Sequence, residues 1–228
     1  MDEGADDPGT SASGAGSHPS GQQSGQGLGQ QFGQPFGKQF VHRSLAGKLL
    51  LSPPWMDDPN FSRSVVLLLA HTEDGAFGVV LNDESTTGVE TIADVVGPAW
   101  AAMLAPPESI FVGGPCQTSS VIALGMIDRS KTDEAGPTEG PEASTHEIVV
   151  VDLNQDAPQS QITRIRLFAG YAGWAPMQLE SELARNGWFV AEALVGDGLT
   201  DNPEELWIAI MARNGNPYAR IPVDPTLN

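Results

Sequence analysis

The sequence is poor in cysteine and in clustered basic residues. Cys116 is the only cysteine among 228 residues, which excludes an intramolecular disulfide framework and fits a reducing compartment. The 11 Lys and Arg residues are scattered among 29 Asp and Glu residues, giving a net charge of −18. Since binding to phosphate backbones needs clustered cations, this balance argues against a nucleic-acid partner and against a DNA-binding regulator.

The chain also lacks the apolar segments that direct proteins to membranes. Apolar runs such as residues 65–70 have the length of one strand, whereas a membrane-spanning helix needs about 20 apolar residues. The sequence begins Met1-Asp2-Glu3, without the basic and apolar regions of a signal peptide. These absences predict a cytoplasmic protein with no membrane partner.

Motifs for common cofactors and metals are missing as well. No G-x-x-x-x-G-K-[ST] sequence occurs, no G-x-G-x-x-G follows a predicted strand, and no C-x-x-C is present. The four histidines have no metal-ligand spacing. The sequence therefore predicts neither a cofactor nor a metal ion.

Composition divides the chain into a tail, one domain and a second tail. Residues 1–37 are rich in Gly, Gln and Ser and carry few large apolar residues, which predicts a disordered segment. Residues 38–215 suffice for a single domain. Within it, polar and Gly/Pro-rich residues 129–146 predict a mobile loop, and residues 216–228 an irregular C-terminal tail.

Apolar patterning predicts more strands than helices. Strands are expected at residues 47–52, 64–70, 77–81, 109–112, 119–127, 147–152, 162–169 and 188–194. Helices are expected at residues 89–96, 98–105, 176–186 and 203–214, with Asn202 as the cap of the last. Because the helices cluster instead of alternating with the strands, the pattern indicates an α+β fold.

Residues 170–180, G-Y-A-G-W-A-P-M-Q-L-E, form the most informative segment. Its glycines predict positive φ or close backbone approach, and Pro176 suits the first position of a helix. Leu179 and Leu183 lie one turn apart and predict a buried stripe. The segment is interpreted as a strand, a tight aromatic turn and an amphipathic helix.

Three blocks together resemble the YqgE/AlgH family of bacterial proteins. The blocks are G-K-L-L-L-S-P-P through G-A-F-G-V-V-L-N at 47–82, F-V-G-G-P at 111–115, and L-F-A-G-Y-A-G-W-A-P-M-Q-L-E-S-E-L at 167–183. The resemblance implies a split β-sheet curled into a pseudo-barrel with a few flanking helices. It implies no established enzyme activity, although some members have been labelled transcriptional regulators. Met177 departs from the family pattern, which tends to have Gly there, and Cys116 stands where a small aliphatic residue is usual.

Several polar residues are candidates for a site. Gly113 and Gly114 could present backbone N–H groups to an anion or simply form a turn. Arg63 could bind a carboxylate or phosphate, or it could pair with Asp58 and fix the loop. Asn82 ends the first block and is a further candidate.

The last candidates lie in the third block and around the lone cysteine. Tyr171, Trp174 and Gln178 could line a groove at the start of the predicted helix. The leading hypothesis is a non-enzymatic interaction module, with a possible regulatory role, that binds a small anionic ligand or a protein partner. The alternative is a hydrolase-type enzyme that uses His71, Asp58 or Cys116.

Overall fold

The computed structural model describes residues 43–88, 96–129, 146–154 and 161–215. These residues form nine strands and three helices. The strands are β1 (Lys48–Leu51), β2 (Val65–Thr72), β3 (Gly75–Val80), β4 (Glu84–Gly88), β5 (Ser109–Val112), β6 (Cys116–Asp128), β7 (His146–Val151), β8 (Ile162–Trp174) and β9 (Phe189–Glu192). The helices are α1 (Pro98–Ala101), α2 (Gln178–Ala184) and α3 (Pro203–Arg213).

The strands form a mixed sheet that curls into a half-barrel with the three helices packed on it, which confirms the predicted α+β fold. The sheet order is β4-β5-β8-β3-β2-β1-β9, and the β6–β7 pair joins it through β8. Only the β5–β8 pair is parallel among the pairs described. The near-continuous apolar run of β2 is explained by this arrangement, since most of its residues are buried on both faces.

Strand β8 organises the sheet because it pairs with β3, β5 and β6. The predicted tight turn at residues 170–174 is wrong, since these residues continue β8 and the last three of them pair with β3. Gly170 has the predicted positive φ, +72°, but it lies opposite a bulge of β6 and not in a turn. A long strand can continue past a bulge in its partner. The local glycine signal therefore placed the predicted end of β8 too early.

Three apolar clusters lie on the sheet among the described residues, and each includes residues of one helix, with Trp100 of α1 in the third. Helix α3 contributes Trp207, Ile210 and other residues to the larger cluster with Phe111 and Phe168. Helix α2 contributes Leu179 to the cluster that contains Trp174 and Trp188. Leu183 is only partly buried there, so the predicted stripe is confirmed at its first position.

Arg166 is a buried cation within β8, 1% exposed. Its Nη2 donates to the backbone oxygens of Pro106 and Thr200, and its guanidinium lies 4.5 Å from the centre of the Phe111 ring. Burial lowers the pKa of Arg166 to about 10, because the charged form loses its hydration. This side chain joins the segment after α1 to the segment before α3.

The helix boundaries differ from the predicted ones in two places. Helix α2 begins at Gln178, because Met177 adopts a left-handed conformation with φ 62°, so Pro176 is not its first residue. Helix α1 covers only the first turn of predicted helix 98–105. Helix α3 begins after Asn202 as predicted, although the Asn202 side chain makes no capping hydrogen bond. Most of predicted helix 89–96 and most of predicted loop 129–146 lie outside the described residues. Both predicted tails also lie outside them.

Candidate functional site

A groove of about 690 Å³ lies between the β2–β3 hairpin and the first half of β6. We call it the hairpin groove. The residues that line it include Thr72, Asp74, Phe77, Cys116, Gln117, Ser120, Ile122, Tyr171 and Trp174. Of the residues singled out by the sequence, it brings together Cys116, Tyr171 and Trp174, and it excludes the others from its lining.

An aromatic pair forms one wall of the hairpin groove. The rings of Phe77 and Tyr171 meet edge to face with centroids 6.0 Å apart, and Phe77 is 38% exposed. Phe77 lies opposite Gly173 in the β3–β8 register. A Cβ on Gly173 would come within 3.2 Å of the Tyr171 ring, so the glycine lets this ring lie against the strand. Exposed aromatic pairs of this kind are favourable contact points for a partner.

A wide bulge in β6 forms the other side of the hairpin groove. Cys116 pairs with Tyr171 and Val121 pairs with Ala169, so residues 117–120 face a single residue of β8. All four are exposed, and Gln117 has a φ of +45°. In the described residues, β7 pairs only with Ala123 and the β6 residues that follow it, so the bulge lies beyond the end of β7.

The lining of the hairpin groove carries a negative charge. Asp74 is the only ionisable carboxyl group in the lining, and no Lys or Arg is found among the lining residues that the structure describes. The Cys116 thiol is half-buried at its edge. Such a surface offers an anion no counter-charge, whereas apolar or basic groups meet a compatible environment.

On the face of β8 opposite the hairpin groove, the Glu182 carboxylate accepts hydrogen bonds from three side chains. Glu182 Oε2 accepts hydrogen bonds from Trp174 Nε1 (2.9 Å) and Trp188 Nε1 (2.8 Å), and Oε1 accepts from Gln178 Nε2 (2.9 Å). The two indole rings contact each other edge to face at 5.9 Å. We call these four residues the indole–carboxylate cluster. Since its described donors are satisfied and the indoles are buried, it fixes α2 on the sheet.

Gln178 belongs to this cluster and not to the groove. Its Oε1 accepts from the Ala175 N–H at 3.0 Å, and its Nε2 donates to Glu182. The spacing of four residues places Gln178 and Glu182 on one face of α2, where their side chains are in direct contact. The Ala175 N–H, which an anion at the start of α2 could have used, already donates to Gln178. This contact removes the basis for the predicted anion site there.

His71 is also engaged in holding the structure together. Its Nδ1 accepts from the Leu45 N–H at 3.0 Å, and its Nε2 lies 2.9 Å from Glu180 Oε1. These contacts place the ring proton on Nε2, where it is donated to the carboxylate. Both ring nitrogens thus have partners, so neither nitrogen of His71 is available to deprotonate Cys116.

The glycines of the second and third blocks allow two backbones to interlock. A Cβ on Gly114 would lie 2.3 Å from the backbone carbon of Tyr171, and one on Gly170 would lie 2.6 Å from the Gly114 oxygen. Gly113 donates to the Ala169 oxygen and accepts from the Val80 N–H. The Gly113 N–H is therefore unavailable to an anion, and the pair serves close packing.

The first block places its candidates away from the hairpin groove. Asp58 Oδ1 accepts from the backbone and side chain of Asn60 and not from Arg63, so it fixes its own turn. Asn82 accepts from the Val65 N–H and donates to the Arg63 oxygen, joining the ends of two strands. The Arg63 guanidinium lies 5.7 Å from the centre of the Trp207 ring, and its buried Nη1 has no hydrogen-bond partner among the described residues. Asp58, His71 and Cys116 are thus not assembled into one catalytic group.

The roles of several residues at the site were not predicted from the sequence. Glu182 resembled a solvated helix residue, and only its spacing of four from Gln178 indicated a contact. Phe77 was placed in a strand, but its exposure depends on the β3–β8 pairing. The bulge at residues 117–120 had no signal beyond its polar composition, Q-T-S-S.

The described residues contain no group of three His, Cys, Asp or Glu side chains placed to hold a metal ion. Likewise, no helix among the described segments has both the length and the apolar character that crossing a bilayer requires. The hairpin groove instead presents the Phe77–Tyr171 ring pair, with one thiol beside it.

The mixed half-barrel sheet places this chain among the AlgH-like folds. The AlgH-like family model matches residues 49–219, and the chain belongs to this family. A UPF0301 protein of Streptomyces avermitilis is 38% identical over 192 residues, covering 81% of this chain and 96% of the relative. A UPF0301 protein of Mycobacterium tuberculosis is 33% identical over 187 residues, covering 81% and 90%.

Solved structures show the same relationship. A crystal structure of a Corynebacterium diphtheriae protein aligns with a TM-score of 0.60 at 31% identity, covering 73% of this chain and 85% of that one. The solution structure of AlgH from Pseudomonas aeruginosa aligns with a TM-score of 0.53 at 28% identity, covering 78% and 93%. The YqgE/AlgH resemblance inferred from the three blocks is therefore confirmed.

Proposed function

We propose that this chain is a cytoplasmic, non-enzymatic interaction module, of a kind suited to regulation, that binds an extended segment of a partner protein in the hairpin groove. The observation that supports this most directly is the exposed Phe77–Tyr171 pair beside the four-residue bulge of β6. The rings offer apolar contact, and the bulge lies at a strand edge. Extended peptides bind by this combination of side-chain pockets and backbone hydrogen bonding.

The alternative of a small anionic ligand receives less support from the groove. Its lining carries Asp74 and no Lys or Arg among the described residues. Anionic ligands are held by cations, helix N-termini or free backbone N–H groups. We therefore favour a protein segment with apolar side chains and no acidic cluster, because such a segment matches the groove in both polarity and charge.

The hydrolase alternative also receives less support. A thiol nucleophile needs a base within hydrogen-bonding reach, and both nitrogens of His71 are engaged by Leu45 and Glu180. Asp58 is engaged within its own exposed turn. These contacts argue for structural roles and leave Cys116 beside the groove without an evident base.

The test uses Cys116 as a native reporter, since it is the only cysteine and lines the groove. Peptides selected from a random display library against the full chain are tested for their effect on alkylation of Cys116 by N-ethylmaleimide. We expect the selected peptides to be apolar with alternating pattern, and to slow alkylation in proportion to occupancy. The variant Phe77→Ser should abolish this protection.

A matched control removes a different exposed apolar side chain. Val190 in β9 is 45% exposed and is not part of the groove lining, so Val190→Ser should keep both peptide binding and protection of the thiol. Peptides that bind without protecting Cys116, or equally well to both variants, would show that the groove is not the docking site.

A further inference from the structure

The sequence ahead of the described residues contains a short repeat whose chemistry matches the hairpin groove. Residues 28–40 have the sequence L-G-Q-Q-F-G-Q-P-F-G-K-Q-F, in which a large apolar residue recurs at every fourth position and a glycine follows each of the first three. Residues 2–27 contain no Val, Ile, Leu, Met, Phe, Tyr or Trp. We call residues 28–40 the phenylalanine repeat, and its apolar character stands out from the sequence before it.

The composition of the phenylalanine repeat favours an extended backbone over a helix. Pro35 lacks the N–H that a helix interior needs, and the glycines at positions 29, 33 and 37 lower the helix propensity further. Side chains of an extended chain alternate between two faces, so the phenylalanines at positions 32, 36 and 40 would share one face at intervals of about 13 Å. Such a row of rings is suited to contact with the exposed Phe77–Tyr171 pair.

The charge of the phenylalanine repeat also suits the groove. Lys38 is its only ionisable residue, and no Asp or Glu occurs between Asp7 and Asp57. The groove lining carries Asp74 and no Lys or Arg among the described residues. In a chain with a net charge of −18, a basic segment without carboxylates is complementary to this lining, whereas an acidic segment would be repelled.

The described chain begins beside the groove. The Ser44 hydroxyl donates to the His71 carbonyl oxygen at 2.8 Å, and the Leu45 N–H donates to His71 Nδ1 at 3.0 Å. Both sequence neighbours of His71 line the groove. The four steps from Ser44 back to Phe40 span up to about 14 Å of extended chain, so the tether is long enough for the repeat to reach the groove and short enough to keep it near.

We propose that the hairpin groove binds the phenylalanine repeat of its own chain. This inference rests on the proposed function, because it names a segment that the groove takes. A short tether holds a ligand at an effective concentration of about 1 mM, so a contact that is weak between separate molecules still keeps the groove occupied. A partner segment then has to displace the repeat, and segments predicted as disordered can become ordered when they bind in this way.

The experiment measures alkylation of Cys116 by N-ethylmaleimide in the full chain and in the variant Phe32→Ser/Phe36→Ser. With an effective concentration of about 1 mM and a dissociation constant of about 0.1 mM, the parent groove is open about one tenth of the time, so the variant should react about tenfold faster. The parent rate should not depend on protein concentration. The matched control, Gln22→Ser/Gln26→Ser, has the same spacing outside the repeat and should keep the parent rate.

A second set of variants tests whether the contact involves the groove. Phe77→Ser removes a ring that the repeat would contact, so adding Phe32→Ser/Phe36→Ser in that background should give no further increase in rate. In the Val190→Ser background the full increase should remain, because this residue is not part of the lining. The display-selected peptides should bind Phe32→Ser/Phe36→Ser about tenfold more tightly than the parent chain, since they no longer compete with the repeat.

Other outcomes would overturn this inference or separate it from the proposed function. An unchanged rate in Phe32→Ser/Phe36→Ser, with selected peptides still protecting Cys116, would refute the repeat as occupant and leave the proposed function standing. An equal increase with and without Phe77 would place the repeat outside the groove. A parent rate that falls with rising protein concentration would assign the groove to a second copy of the chain. Selected peptides that protect no variant, beside a Phe77-dependent increase, would contradict partner binding and support the repeat alone.

Discussion

The two faces of β8 at residues 170–174 serve different purposes, although the residues alternate within one short segment. Ala172 and Trp174 turn toward α2 and are buried with Trp188. Tyr171 turns the other way, contacts Phe77 and lines the hairpin groove. On the first face, the described polar groups of the indole–carboxylate cluster are paired. On the second, aromatic and thiol groups meet open space.

Under the proposed function, one sequence motif combines a structural part with a recognition part. Successive side chains of a strand point to opposite faces, so G-Y-A-G-W cannot form a single site as long as it is extended. The buried face is expected to determine stability, and the groove face to determine binding. Substitutions on each face can separate these roles.

The largest effect is expected from Trp174→Ala. Removing a buried aromatic side chain leaves a cavity, so the free energy of unfolding should fall by about 3–5 kcal/mol. Tyr171→Ala on the opposite face should cost clearly less, because Tyr171 is only partly buried. Urea denaturation followed by circular dichroism measures both. Equal losses would contradict the division between the two faces.

The next effect is expected from Glu182→Ala. The indoles of Trp174 and Trp188 and the amide of Gln178 would lose their acceptor, and unsatisfied buried donors cost about 1–3 kcal/mol each. Because the residue is partly exposed and water can enter, we expect a total loss of about 2–4 kcal/mol in the free energy of unfolding.

The control for this prediction is Glu192→Ala. Glu192 forms an exposed ion pair with Lys48, and its side chain is 78% exposed. Surface pairs of this kind contribute about 0–1 kcal/mol, so the denaturation midpoint should barely move. A parent-like midpoint for Glu182→Ala would mean that the indole–carboxylate cluster does not hold α2.

A smaller effect is expected from His71→Ala, because it leaves the Leu45 N–H without its acceptor. The expected loss of stability is about 1–3 kcal/mol. The rate of Cys116 alkylation by N-ethylmaleimide and its pH profile should stay unchanged, since His71 has both nitrogens engaged elsewhere. Glu180→Gln, which keeps the ring, serves as a second variant. A strong fall in thiol reactivity in both would revive the enzyme hypothesis.

Local patterning was sufficient to predict most of the fold. The apolar runs of β1, β2, β5 and β7 and the start of α3 were located closely, because each is bounded by turn residues. Strand β4, with the polar sequence E-S-T-T-G, was missed because its own composition does not favour a strand. It is a strand because it pairs with β5. The end of β8 was missed because a bulge in its partner absorbs Gly170.

The candidate site was less predictable, since it depends on pairing between distant strands. Tyr171 and Trp174 were identified, but as neighbours in one groove wall and not as residues facing opposite ways. Phe77 joins Tyr171 only through the β3–β8 register, and Glu182 receives its donors from three separate elements. Asp58, Arg63 and Asn82 had promising chemistry, but Asp58 is engaged within its own turn and Asn82 joins the ends of two strands.

The smallest effect concerns Met177, which joins β8 to α2 at a position where the YqgE/AlgH resemblance leads us to expect glycine. Its φ of 62° is left-handed and its side chain is 62% exposed, so no packing offsets the steric cost of its Cβ. Met177→Gly should raise the free energy of unfolding by about 0.5–1 kcal/mol, the steric relief exceeding the added chain entropy. Met177→Ala keeps the Cβ and should give no gain. If both variants lower the urea midpoint alike, the Met177 side chain itself supports the junction of the two faces, and the departure from glycine is compensated by contacts.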